Sequence, residues 1–130
     1  MNAIWNYAWV ALGAGLGGAL RHGANRLGLL AVGPHFPAGT LSVNLLGCLV
    51  MGVLTGWFAH RGEFTTPAVR LFLTTGLLGG FTTFSAFSLD TALMWEKGAM
   101  VMTIAYVGLS VLGSLAAVFI GLALARAVFS

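Results

Sequence analysis

Apolar residues gather into four long stretches, and most charged residues fall between them or at their ends. The first stretch, residues 4–29, opens on Trp5, Tyr7 and Trp9 and carries Arg21, His22 and Arg26 towards its other end. Aromatic side chains at one end of an apolar run are what a membrane interface selects. The segment GPHFPAG, residues 33–39, holds two prolines and reads as a turn. The second stretch, residues 40–58, closes near Trp57, and a polar link from His60 to Phe64 follows. Pro67 suits the first turn of the next helix. The third stretch covers residues 67–95, with Glu96, Lys97 and Gly98 as its turn, and the fourth covers residues 99–125, with Arg126 beyond it. A helix needs about 20 residues to cross a bilayer, so the pattern predicts four transmembrane helices in a single domain, residues 1–130.

The third stretch departs from that pattern. GGFTTFSAFS, residues 79–88, puts two glycines, two threonines, two serines and three phenylalanines inside an uncharged span. Paired glycines weaken a helix, and unwound backbone at membrane depth is tolerated only inside protein or along a watery path. A helix broken near Gly79–Gly80 is therefore expected, with a polar site at mid-membrane. Such a site implies that something crosses.

Composition narrows the class. Of the 130 residues, 58% are hydrophobic and 7% charged, where a soluble domain has about a quarter charged. An all-α integral membrane protein is expected. The net charge of +3 is spread along the chain and forms no nucleic-acid patch. Cys48 is the single cysteine, so no intrachain disulfide can form. The start, MNAIWNYAWV, lacks a basic leader, so the first span is expected to be retained.

Charge also bears on orientation, since Lys and Arg near span ends set it. With four spans, Arg61, Arg70 and Arg126 share one side and Arg21, Arg26 and Lys97 the other. This three-against-three balance is compatible with a weak bias settled by other factors. It is equally compatible with dual topology, in which two oppositely inserted copies form a two-fold dimer. The pairs Gly13/Gly17, Gly52/Gly56 and Gly76/Gly80 have the spacing that lets membrane helices approach closely.

Few side chains can carry chemistry. Asn44 stands in a nearly apolar run, either as an interhelical hydrogen bond or as a donor to a permeating anion. Thr103, Tyr106, Ser110 and Ser114 share one face of the fourth span and read as a lined path or a packing seam. Phe84 and Phe87 point the same way on a helix. Phenylalanines usually pack, yet a ring has a positive edge that can meet a small anion without fixed charge. Arg21 either snorkels to the headgroups or draws anions into a vestibule. Asp90 and Glu96 are expected to be interfacial or paired, and the three histidines have no ligand spacing. Ser85 has no in-span His or Asp partner, and no phosphate-binding loop is present, so neither hydrolysis nor ATP drive is expected.

The segments GGALRH (17–22), GTLSVNLLGC (39–48), TTGLLGGFTTFSAFS (74–88) and YVGLSVLGS (106–114) resemble the Fluc (CrcB) family of fluoride channels. The resemblance covers nearly the full chain and implies a four-helix subunit in an antiparallel, dual-topology homodimer. It implies two pores per dimer and passive, fluoride-selective export that relieves fluoride toxicity, in the cell's inner (plasma) membrane. Carried over, Phe84 and Phe87 are the pore phenylalanines, Asn44 is the polar residue beside them, and Tyr106, Ser110 and Ser114 form a polar track. Arg21 lies at the vestibule, and Gly79 and Thr82 hold a structural Na+ at the dimer centre through backbone carbonyls. Ala86 stands where the family often has threonine, with Ser85 and Ser88 beside it as alternative pathway hydroxyls.

Two rival readings come from other classes. A small multidrug transporter shares the size and the dual topology but depends on a carboxylate in its first span, where this chain has none. A structural membrane subunit would pack in a larger complex and pass nothing.

Overall fold

The structure, a computed structural model, describes residues 2–130 and is all-helical over them. Helix α1 (Ala3–Val32) begins where the Asn2 side chain accepts a hydrogen bond from the Ile4 amide, and it ends at Gly33. Helix α2 (Ala38–Arg61) runs into a short 3₁₀ turn, Gly62–Phe64. The next helical region is built in pieces: α3 (Pro67–Leu71), a π-helical stretch (Phe72–Leu78), α4 (Gly79–Phe81) and α5 (Phe84–Glu96). Helix α6 (Met100–Phe129) completes the chain. Gly33 and Gly98 close the turns after α1 and α5 with φ of 90° and 79°. Glycine alone enters that region without penalty from a Cβ.

Among the described residues, three regions are long and apolar enough to cross a membrane: Ala38–Phe64, Pro67–Glu96 and Met100–Phe129. These make the chain an integral membrane protein by build. Helix α1 is 30 residues long but falls outside that set. Its many glycines, with Asn6, Arg21, His22, Asn25 and Arg26, dilute its apolar character.

Glycine contacts fix the packing. A Cβ on Gly76 would stand 3.0 Å from Gly13 Cα, one on Gly17 would stand 2.7 Å from the Phe81 amide nitrogen, and one on Gly80 would stand 2.8 Å from Ala14 Cα. Residue numbers rise together along this seam, so α1 runs parallel to the π-helical stretch and α4. The same holds between α2 and α6. Gly113 abuts Leu45, Gly52 abuts Gly121, and Gly56 abuts Ala125. Where α1 meets α2, Gly28 and Asn25 both lie against Gly39, as expected across a hairpin. Small residues at each seam let backbones touch, the usual source of helix association in lipid.

The glycine pair is not where the third helix stops. Gly79 and Gly80 are helical, and the interruption lies at Thr82 (φ −87°, ψ 159°) and Thr83 (φ −156°, ψ 123°), both extended. The physical reason is the seam with α1. Gly80 is spent on backbone contact with Ala14 of α1, and that contact holds the pair within α4.

Candidate functional site

Thr82 and Thr83 form a two-residue extended gap inside apolar helix, so their backbone groups need partners from elsewhere. The Asn44 side chain supplies two of them. Its Oδ1 accepts from the Thr83 amide at 2.8 Å, and its Nδ2 donates to the Thr83 carbonyl at 3.0 Å. Thr83 in turn caps α5, its Oγ1 accepting from the Ala86 amide at 3.1 Å. On the other side, the Thr82 amide and hydroxyl both donate to the Leu78 carbonyl, at 3.0 and 2.9 Å. The Thr83 amide thus serves Asn44 and not the Gly79 carbonyl four residues back. The Gly80 carbonyl accepts from Arg21 Nε at 3.1 Å.

A cavity of about 340 Å³ opens beside this gap. Asn44 and Cys48 line it from α2, Thr82, Thr83, Phe84 and Phe87 from the gap and α5, and Ser110 and Ser114 from α6. The Phe84 and Phe87 rings meet edge to face, centroids 5.5 Å apart. Their surroundings differ: Phe87 is 8% exposed, and Phe84 is 79% exposed. Ser110 is buried, and its Oγ has no hydrogen-bond partner. A buried hydroxyl left unpaired costs about 1–3 kcal/mol, so this one is poised for something that enters the cavity. Amide, hydroxyls and ring edges together can greet an anion without a fixed positive charge.

Other residues named from the sequence lie elsewhere. Tyr106 is fully buried, and its hydroxyl donates to Asp90 Oδ2 at 3.1 Å. Its ring packs behind Phe87, at 5.3 Å, and edge-on to Phe36, at 5.7 Å. Thr103 bonds back to the Ala99 carbonyl at 2.7 Å. The polar stripe of α6 therefore divides: Ser110 and Ser114 face the cavity, and Thr103 and Tyr106 are spent on internal bonds. Ser85 and Ser88 are exposed and outside the cavity lining. Ser85 Oγ lies 3.2 Å from Thr83 Oγ1, and Ser88 donates to the Phe84 carbonyl at 3.0 Å. Cys48, Thr83, Val111 and Leu115 line the cavity as well and were not singled out from the sequence. Cys48 is four residues after Asn44, so helical spacing alone puts both on one face. Thr83 sits beside Phe84 in the motif, but its role as the clamped residue depends on α2.

Residues 8–122, which include the gap and all of the cavity lining, match the family described as CrcB-like protein, Camphor Resistance (CrcB). The chain belongs to the CrcB family. Among similar proteins is the fluoride-specific ion channel FluC of Methylobacterium nodulans, 56% identical over 117 residues, which cover 90% of this chain and 93% of that one. The fluoride-specific ion channel FluC of Paracoccus denitrificans is 54% identical over 123 residues, covering 93% and 94%. The fluoride-specific ion channel FluC of Mesorhizobium japonicum is 46% identical over 123 residues, covering 95% and 98%.

Proposed function

We propose that this CrcB protein is a passive, fluoride-selective channel through which fluoride leaves the cytoplasm, relieving fluoride toxicity. The observation that carries this is the cavity beside the helix gap. It combines Asn44, the Phe84 and Phe87 rings and the unpaired Ser110 hydroxyl, and no Lys, Arg, His, Asp or Glu lines it. A small, strongly hydrated anion needs donors in place of its water, and weak neutral donors bind it without trapping it. The fluoride-specific relatives support fluoride as the ion. The membrane potential supplies outward drive of about 2.3 kcal/mol per charge for each 100 mV. Transport of this kind is not catalysis, and no covalent step is required.

The assembly is part of the proposal. Helix α1 is the fourth crossing, since it runs parallel to the Pro67–Glu96 region while α2 runs parallel to α6. Two copies insert oppositely in the plasma membrane and pair as an antiparallel homodimer. The balanced basic residues and the exposed Phe84 ring support this, because a second copy gives that ring a place to pack. Ser85 and Ser88 extend the pathway beyond the cavity, and Tyr106, its hydroxyl bonded to Asp90, backs it from behind Phe87.

A structural Na+ at the dimer centre fits the backbone. The Gly79 carbonyl has lost its Thr83 donor, Gly79 is exposed, and Thr82 lies in the extended gap. Carbonyl oxygens at a helix break suit a hard cation. Gly79 and Thr82 of two copies would hold it through their backbone carbonyls.

The test is fluoride release from liposomes holding the purified protein, under a potassium gradient with valinomycin, with chloride in parallel. Fast fluoride release without chloride release is expected. No release from folded dimers would move the reading to a structural subunit.

A further inference from the structure

The gap at Thr82–Thr83 strips partners from carbonyls on its N-terminal side. In an unbroken helix the Gly80 carbonyl would accept from the Phe84 amide, which here lies beyond two extended residues. Arg21, 59 positions earlier in the chain, fills that place with Nε at 3.1 Å. It stands one turn beyond Gly17, whose Cβ position is occupied by the backbone of Leu77 and Phe81. Its stem is therefore set against α4 at backbone contact distance, and the side chain is half-buried.

We infer that Arg21 is a positioning residue of the channel, acting as the hydrogen-bond donor that holds the Gly80 carbonyl and so fixes the gap from the α1 side. Asn44 holds Thr83 from the α2 side. The two side chains pin the backbone on either flank of Thr82, and the direction in which Phe84 leaves the gap depends on both. On this view the bond from Nε matters, and the positive charge as an attractor of anions does not. The inference rests on the fluoride-channel reading only for its flux readout.

Side-chain geometry separates the two roles. Gln places an amide nitrogen at the atom after Cδ, where Arg has Nε, but carries no charge. Lys keeps the charge but has a methylene at that atom. Met offers neither. The experiment compares Arg21→Gln, Arg21→Lys and Arg21→Met by fluoride release from liposomes and by hydrogen–deuterium exchange of the peptide spanning residues 78–88. R21Q is expected to keep fluoride flux within about threefold of the parent, with parental exchange, while R21K and R21M lose more than about tenfold and exchange faster at the gap, since an unpaired carbonyl in lipid loosens the backbone around it. R21K active and R21Q inactive, with exchange unchanged in both, overturns the inference in favour of charge. Parental flux and exchange in all three also overturns it. If R21K and R21M do not fold, R21Q decides alone: parental behaviour supports the inference and loss of flux refutes it. Should the parent pass no fluoride, the channel reading fails, while exchange that follows the donor still supports the positioning role.

Discussion

The Asn44 side-chain amide holds both backbone groups of Thr83, accepting from its N–H at 2.8 Å and donating to its C=O at 3.0 Å. One residue of α2 thereby takes the place of helix ladder in a different helical region. The amide nitrogen has two hydrogens and spends one on Thr83. The second remains for the cavity that Asn44 lines. The interhelical bond and the anion donor are therefore compatible duties of one side chain.

Replacing Asn44 by Ala leaves the Thr83 N–H and C=O without partners. A loss of roughly 1–3 kcal/mol per unpaired group is expected. Purified Asn44→Ala should unfold at lower temperature and pass fluoride poorly, and Asn44→Asp should not rescue it, because a carboxylate cannot donate to the Thr83 carbonyl. Parental stability in Asn44→Ala, by thermal unfolding, would contradict the clamp.

The two phenylalanines should separate in stability but not in flux. Phe87 sits in the core with Met94 and Tyr106, so Phe87→Ile loses ring contacts and destabilises by about 1–3 kcal/mol. Phe84 is 79% exposed in the subunit, so Phe84→Ile should leave subunit stability near parental. Both should abolish or sharply slow fluoride release while the dimer remains assembled. Unchanged flux in both variants would sink the aromatic-edge mechanism.

Ser110→Ala is a test of path against packing. The parental hydroxyl is buried with no partner, so removing it costs no hydrogen bond and stability should hold or rise, by up to about 1–3 kcal/mol. Fluoride flux should nevertheless fall. A clear drop in stability with flux preserved would assign Ser110 to packing alone.

Gly80→Ala should be severe although it adds one methyl group. The new Cβ would stand 2.8 Å from Ala14 Cα, which is backbone and cannot turn aside. Overpacking of this kind costs about 1–3 kcal/mol. At Gly108 a Cβ meets nothing within 4 Å, so Gly108→Ala serves as the control with parental melting. Similar melting of both variants would mean that the α1 seam is not as tight as described.

Much of the fold is legible in the chain itself. Apolar runs of transmembrane length, girdled by Trp5, Tyr7 and Trp9 and separated by short turns with Gly33 and Gly98, follow from hydropathy and backbone freedom, which are local properties. The pairs Gly13/Gly17, Gly52/Gly56 and Gly76/Gly80 announce close packing by spacing alone, and each of these glycines lies at a helix contact. Ser110 and Ser114 could be placed on one face because the helical repeat requires it. Asp90, expected to be interfacial or paired, is paired with Tyr106.

The tertiary structure decided what the period could not. Gly79–Gly80 looks like a break because glycine propensity is low, but contact with α1 holds that pair in a helix and moves the gap to Thr82–Thr83. The partner that stabilises the gap is Asn44, 39 positions away, and the second is Arg21, 59 positions from Gly80. Tyr106 left the cavity because Asp90 took its hydroxyl. Hydropathy and helical spacing are sums over neighbouring residues, so the sequence determined that this is a helical membrane protein and which faces of its helices are polar. Which polar group meets which depends on helix register across seams, and only the packed chain sets that register.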